Sequence, residues 1–307
     1  MKIVITGASG FVGTYLIERL LHDADSLQLY GLYLHSKPCK VNGVTFYPCD
    51  ITCEDQVTNF FAPIKPDVVF HLSGQSGQAC GSLKELLDTN VVGTRNVLEA
   101  LRLSNPSAHF LFMSSSAVYG YAGNKPIQES SRLYPVGDYG VSKVAAEMVV
   151  QQYEHVHSLT TTIVRPFNII GPGQSTQFLV GTIIDQIINI MSKKQECIIL
   201  RSLSSSRDYI DVRDVVNALV SIMKRKSAGA YNIGTGKAWS TQEILDILFD
   251  SIGKSFPIFI TDAPIKETVP IQISDNSLIL KDTGWTPMID IKNSLQDMVT
   301  RRRSLNV

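Results

Sequence analysis

The sequence predicts an α/β fold: a doubly wound parallel sheet followed by a smaller C-terminal α/β portion. Three observations carry that expectation. An apolar run with β-branched residues, Lys2–Thr6, leads into a glycine-rich loop and then into apolar residues at helical spacing. Strand-like and helix-like segments alternate through the first half, which sets strands side by side with helices on both faces. After Pro166 the texture changes: loops lengthen, residues 202–206 are serine-rich, and 263–270 carries two prolines.

The first strand, Lys2–Thr6, reads as short and buried. Gly7-Ala8-Ser9-Gly10-Phe11-Val12-Gly13 follows at once, with Leu16, Ile17, Leu20 and Leu21 continuing at helical spacing. Gly7 suits a tight turn, Gly10 lets the backbone approach a pyrophosphate, and Gly13 lets helix and strand pack closely. The helix N-terminus then faces the anion. This is the pattern of a Rossmann-type dinucleotide site, and an ordinary strand-to-helix loop is the competing reading. Residues 27–34 and 44–48 read as the second and third strands, and 66–71 as the fourth, entering Leu72-Ser73-Gly74. Residues 108–114 and 160–165 complete a series of six, with helical patterns over 86–103 and 138–154. Ligands of such sheets sit beyond the carboxyl ends of the strands. The expected division is an NAD(P)-binding domain over 1–165 and a mainly substrate-binding portion over 166–307. Residues 229–240 are expected to return to the first sheet.

The 307 residues are 44% hydrophobic, and Lys+Arg and Asp+Glu both number 28. The balance sets up no field for nucleic acid or an anionic membrane. No apolar run approaches the roughly 20 residues that span a bilayer, and the first run is too short for a signal peptide. Cys39, Cys49, Cys53, Cys80 and Cys197 are odd in number and lack C-x-x-C spacing. Reduced thiols in a cytoplasmic protein are expected, with no metal site. Arg301, Arg302 and Arg303 read as a solvated end.

Tyr139 and Lys143 are four residues apart in a helical pattern and so share a face. An ammonium near a phenol favours its ionised form, which prepares it to exchange a proton with a carbonyl or hydroxyl oxygen beside a nicotinamide. By itself the spacing also fits a solvated helix face.

Further motifs stand in order along the chain: Asp50-Ile51, His71-Leu72, Asn90-Val91-Val92-Gly93-Thr94-Arg95-Asn96, and Ser114-Ser115-Ser116-Ala117-Val118-Tyr119-Gly120. Arg165-Pro166-Phe167-Asn168 and Arg207-Asp208-Tyr209-Ile210-Asp211 follow. With the glycine loop and the Tyr139/Lys143 stretch, they resemble the extended short-chain dehydrogenase/reductase superfamily, whose members mostly act on nucleotide sugars. The resemblance implies that Tyr139 exchanges the proton, that Lys143 holds the nicotinamide ribose and lowers the Tyr139 pKa, and that the Ser115 hydroxyl bonds the reacting oxygen. It implies cofactor contacts at Gly7, Ser9, Gly10, Phe11, Val12, Asp50, Ile51, Leu72, Ser73, Gly74, Asn90 and Pro166. It implies substrate contacts at Ser115, Ser116, Asn168, Gln174 and Arg207. Arginine suits a pyrophosphate through its charged, forked donors, and a structural pairing of Arg207 with Asp208 or Asp211 is the alternative.

Three chemistries compete on this scaffold: 4,6-dehydration, 4-epimerisation and 4-keto reduction. Related dehydratases place acidic residues just after the active-site Ser/Thr, where this chain has Ser116 and Ala117. Without a carboxyl there, elimination loses its acid/base. Reduction is favoured over epimerisation by two features. The second strand ends Tyr33-Leu34-His35-Ser36-Lys37 with no acid to bind the 2′-hydroxyl of NAD; with Lys37 near, this is compatible with the extra phosphate of NADP(H), NAD(H) being the alternative and plain loop residues the competing reading of His35 and Lys37. The stretches at 165–175 and 207–216 look most like the GDP-4-keto-6-deoxy-mannose reductases, which form GDP-rhamnose; reductases of dTDP-4-keto-6-deoxyhexoses could share them. A non-catalytic NAD(P)-binding sensor is the remaining alternative, disfavoured by the intact Ser/Tyr/Lys set. The helices near 90–103 and around Tyr139 resemble the pair that forms a homodimer interface in this family.

Overall fold

The computed structural model describes residues 1–22, 27–35, 38–76, 81–261 and 269–305. In chain order the elements are β1 (Lys2–Thr6), α1 (Phe11–Leu21), β2 (Gln28–Tyr33), β3 (Val44–Pro48), α2 (Glu54–Ile64), β4 (Val68–His71), α3 (Leu83–Leu87), α4 (Gly93–Ser104) and β5 (His109–Met113). There follow α5 (Asp138–His157), β6 (Thr160–Pro166), β7 (Asn168–Ile170), α6 (Leu179–Met191), β8 (Ile198–Leu200), β9 (Ser206–Asp211), α7 (Val212–Arg225) and β10 (Gly229–Ile233). The chain ends with β11 (Ala238–Ser240), α8 (Thr241–Ile252), β12 (Ile258–Ile260), β13 (Ile271–Gln272), α9 (Ser277–Thr283) and α10 (Ile291–Leu305).

Seven strands form one parallel sheet in the order β10-β6-β5-β4-β1-β2-β3. The chain runs outward from β1 to β3 and then crosses to β4 on the other side. The loops after β1 and β4 therefore diverge, which opens a crevice at the carboxyl edge. Ile3, Val4 and Ile5 are fully buried, because both faces of the sheet are covered. One face packs on Leu16 and Leu20 of α1 and on Val215 and Leu219 of α7. The other packs on Phe61 of α2, Leu98 and Leu101 of α4, and Val150 of α5. A separate core lies in the C-terminal portion, built from Ile184, Leu248 and Leu295 of α6, α8 and α10.

The 86–103 helix keeps helical backbone throughout but changes its hydrogen-bond pattern part-way. A π turn, Asp88–Val92, separates α3 from α4 and places Asn90 in a buried wide turn. The 229–240 stretch is divided as well. Gly229–Ile233 pairs with β6, but Ala238–Ser240 pairs antiparallel with β9 in a second, smaller sheet. The cause is Asp208, fully buried, which accepts the amides of Thr235 (2.8 Å) and Gly236 (2.9 Å) and turns the chain away from the large sheet. In the small sheet β9 is central: β13 pairs with its first residues and β7 with its last.

Arg302 departs from the solvated end expected of 301–303. Its Nε donates to Asp185 at 2.9 Å, because α10 packs on α6. Cys39, Cys49, Cys53 and Cys197 are free thiols, and Cys80 lies outside the described residues. Among the described residues no helix is long and apolar enough to cross a membrane, and no group of His, Cys, Asp or Glu could hold a metal ion.

Candidate active site

A cavity of about 580 Å³ lies at the carboxyl edge of the large sheet. Its first wall consists of the loops after β1, β4 and β5, with Tyr139 and Lys143 from α5. Gly7 has φ +68, and a Cβ there would stand 2.8 Å from the Ser73 amide nitrogen. A Cβ on Gly13 would stand 2.3 Å from the Gly7 carbonyl oxygen. Only glycine permits this approach of loop, helix and strand. Gly10 caps α1 without a side-chain hydrogen bond, so the first-turn amides are left for an anion. This bare cradle fits the pyrophosphate of a dinucleotide.

Lys143 is 5% exposed. Its Nζ donates to the Met113 carbonyl at 2.8 Å and lies 4.9 Å from the Phe112 ring centroid. Burial pulls its pKa down to about 8, against the opposing pull of the Glu147 carboxylate. The ammonium is therefore present below that pH and lost above it. If the charge supports the reaction, kcat/KM, which reports groups of the free enzyme, falls along an alkaline limb centred near pH 8. A rate profile that stays flat across that pH removes the ammonium from the chemistry.

The three serines after β5 divide their tasks. Ser114 is buried and donates to Glu147 Oε1 at 2.5 Å. Ser116 is buried, its Oγ 3.5 Å from Gln272 Oε1. Ser115 Oγ accepts from the Ala117 amide at 3.1 Å, which leaves its own proton to donate within the cavity it lines. Below them is a buried network. Arg165 donates to Glu147 through Nε (3.0 Å) and Nη2 (2.7 Å), and to the Tyr119 hydroxyl through Nη1 (2.9 Å). Tyr119 in turn donates to Asn232 Oδ1 at 2.7 Å.

The second wall is one face of the small sheet. Arg207 and Tyr209 are two apart on β9 and so point the same way. Asn168 is the register partner of Tyr209, and Gln272 that of Arg207. All four line the cavity. Asp208, on the opposite face, is committed to Thr235, Gly236 and Ser274, and Asp211 to Arg213 and Ser294. Arg207 donates to the carbonyls of Ser206 (2.9 Å) and Pro270 (3.5 Å).

Of the residues expected from the sequence, Gly7, Gly10, Phe11, Val12, Leu72, Gly74, Ser115, Ser116, Tyr139, Lys143, Pro166, Asn168, Gln174 and Arg207 line this cavity. Ser9, Ser73 and Asn90 do not, and neither do His35, Asp50 and Ile51, because the cavity stops short of the ends of β2 and β3. His35 is exposed, Ile51 is buried against Gly93, and Asp50 Oδ1 accepts from the Thr52 amide at 2.9 Å. Lys37 lies outside the described residues. Asn90 stands behind the wall: its Oδ1 accepts from the Gln75 amide (2.9 Å) and its Nδ2 donates to Ser142 Oγ (3.0 Å). Tyr209 and Gln272 were missed by sequence reasoning. The alternation from Arg207 to Tyr209 was the available signal for the first; β13, two residues long, gave none for the second.

A family model described as the NAD dependent epimerase/dehydratase family matches residues 3–234. The chain belongs to that family. Within it, the chain is 31% identical to GDP-6-deoxy-D-mannose reductase of Pseudomonas aeruginosa, over 97% of this chain and 96% of that one. It is 29% identical to UDP-glucose 4-epimerase of Mycolicibacterium smegmatis, over 97% of each. Among solved structures, RMD from Pseudomonas aeruginosa complexed with NADPH superposes with a TM-score of 0.88 at 29% identity, covering 99% of both chains.

Proposed function

We propose that the protein is a nucleotide-sugar 4-keto reductase taking hydride from NADPH to C4 of an NDP-4-keto-6-deoxyhexose, with GDP-4-keto-6-deoxy-mannose the first substrate to try. The carrying observation is the position after Ser115. No carboxyl stands there, and Ser116 faces Gln272 instead. The cavity retains a proton donor, a hydroxyl and an ammonium in Tyr139, Ser115 and Lys143, and among the described residues its lining holds no carboxyl for the extra acid/base work of elimination. The similarity to a GDP-6-deoxy-D-mannose reductase and to an NADPH complex supports the same reading.

The glycine cradle would hold the dinucleotide, with Lys143 at its ribose. A nicotinamide dinucleotide supplies the hydride when bound. Tyr139 gives its proton to the C4 oxygen, so that the carbonyl becomes a secondary alcohol and the phenol a phenolate. The Lys143 ammonium stabilises that phenolate, and Ser115 donates a hydrogen bond to the reacting oxygen. Arg207 and Asn168 would take the diphosphate, with Gln174 and Ser116 nearer the sugar. Among the described residues the Tyr209 hydroxyl, buried in this wall, has no hydrogen-bond partner, and burial pushes its pKa up to about 12, so it remains a neutral donor. Tyr209→Phe raises KM for the nucleotide sugar about three- to tenfold, the worth of one neutral hydrogen bond, with kcat little changed. An unchanged KM removes Tyr209 from the substrate site.

The deciding experiment supplies NADPH and a 4-keto-6-deoxy sugar nucleotide generated in place by a dehydratase. Stoichiometric loss of NADPH is the reductase outcome. A 4-epimerase is the second reading, favoured by the 29% identity to a UDP-glucose 4-epimerase. Its mark is tightly retained NAD with no net consumption. We further propose a homodimer through α4 and α5, where Leu103 (61%), Met148 (49%) and Val156 (60%) stand exposed. A cytoplasmic location belongs to the same reading.

A further inference from the structure

We propose that His71 is a positioning residue: one continuous hydrogen-bond chain through its ring ties the glycine-loop side of the cleft to the helix that carries Tyr139. The ring is fully buried at the end of β4 and lies against Phe110 and Phe112, with centroids at 5.5 and 5.9 Å. Nδ1 is 2.8 Å from Thr6 Oγ1, and Nε2 is 3.0 Å from Thr94 Oγ1.

The direction of every bond in this chain is determined. Thr94 Oγ1 spends its proton on the Asn90 carbonyl at 2.6 Å, so toward His71 it is an acceptor and the ring proton sits on Nε2. Nδ1 is then the acceptor and takes the Thr6 proton. The Thr6 oxygen accepts in turn from the Ser73 amide at 3.1 Å. Reversing any one bond would set two donors or two acceptors against each other in a buried site. Burial, reinforced by the Lys143 charge, draws the ring pKa down to about 3, so it stays neutral.

Both ends of the hydrogen-bond chain stand directly behind the cavity walls. At one end is Ser73, whose amide nitrogen is the atom that a Cβ on Gly7 would strike. At the other is Asn90 in the π turn. Its backbone is held by Thr94, while its side chain reaches Gln75 and Ser142, and Ser142 Oγ donates to the Tyr139 carbonyl at 2.8 Å. The Thr94 hydroxyl bonds the Asn90 carbonyl within the wide turn and so fixes that turn. His71 thus reaches Tyr139 through Thr94, Asn90 and Ser142.

The inference rests on Tyr139 as the reacting group, which the reductase and epimerase readings share. Its first test needs no substrate and so fails or stands apart from either. In the chain labelled with ¹⁵N-histidine, with and without NADPH, the His71 ring shows a protonated Nε2 and a bare Nδ1 that do not titrate across neutral pH. The opposite tautomer, or titration there, overturns the chain. The second test compares Thr94→Val with Thr94→Ser. Loss of the hydroxyl in Thr94→Val lowers kcat about tenfold through misplacement of Tyr139, with little change in dinucleotide affinity, and Thr94→Ser restores kcat. Thr6→Val instead weakens dinucleotide binding. A packing role gives the reverse order at 94, because valine keeps the volume and serine loses a methyl. Wild-type kcat in Thr94→Val overturns the proposal.

Discussion

Tyr139→Phe is expected to lower turnover about 10²- to 10⁴-fold, the range for loss of a positioned general acid, while dinucleotide affinity stays near wild type. The two halves of this expectation come from different walls. The cradle formed by Gly7, Gly10 and Gly13 contains no atom of Tyr139, and Lys143 keeps its own bond to Met113 when the phenol oxygen is removed. Phenylalanine retains the ring at the cavity edge, so the binding surface survives. On the proposed reading, what disappears is the proton for the reacting oxygen, and neither remaining group replaces it. Ser115 lacks an acidic enough hydroxyl, and Lys143 is fixed by a backbone carbonyl. Steady-state turnover and a fluorescence titration with NADPH separate the two quantities. Wild-type turnover in the variant would sink the assignment, and a parallel loss of affinity would show that the phenol oxygen serves binding instead.

Glu147→Gln is expected to destabilise the fold by about 3–5 kcal/mol, the cost of leaving a buried cation without its counter-ion. The pair is dry: the side chains of Arg165 and Glu147 are 4% and 0% exposed, with Nη2 2.7 Å from Oε2. The same substitution changes the acceptor of Ser114, so it reaches the floor of the serine triplet. Replacing both partners by apolar residues should cost less than the sum of the single changes, because no stranded charge remains. Urea unfolding of the single and double variants checks this. A loss below about 1 kcal/mol for Glu147→Gln would mean that water or another group reaches Arg165, as at an exposed pair.

Local patterns were legible in the sequence. The strand, glycine loop and helix at 2–21, the strands over 28–33 and 44–48, and the phenol–ammonium spacing of Tyr139 and Lys143 depend on near neighbours, and the structure has those elements where the residues indicated them. Contacts between distant segments were not legible. The Glu147–Arg165 pair joins a helix to a strand, and nothing in either segment names the other. The π turn was hidden because one extra residue scarcely disturbs an apolar period. Gln272 reaches the cavity only through a two-residue strand that Arg207 pairs with. The division of 229–240 depended on Asp208, which read from sequence as a companion of Arg207 and serves the opposite face of its strand.

Asp208 has a mechanical consequence. Its carboxylate gathers amides and hydroxyls from Thr235, Gly236 and Ser274, so β9 is bolted to the chain leaving β10, an edge strand of the large sheet. On the other side, β6 runs into β7 across Phe167, whose amide is held by the Ile233 carbonyl at 2.8 Å. The wall bearing Arg207 and Tyr209 is thus anchored twice to the sheet that bears the glycine cradle. Two separated anchors oppose a hinge rotation of that wall, so the spacing of the two walls is set by contacts made within the folded chain.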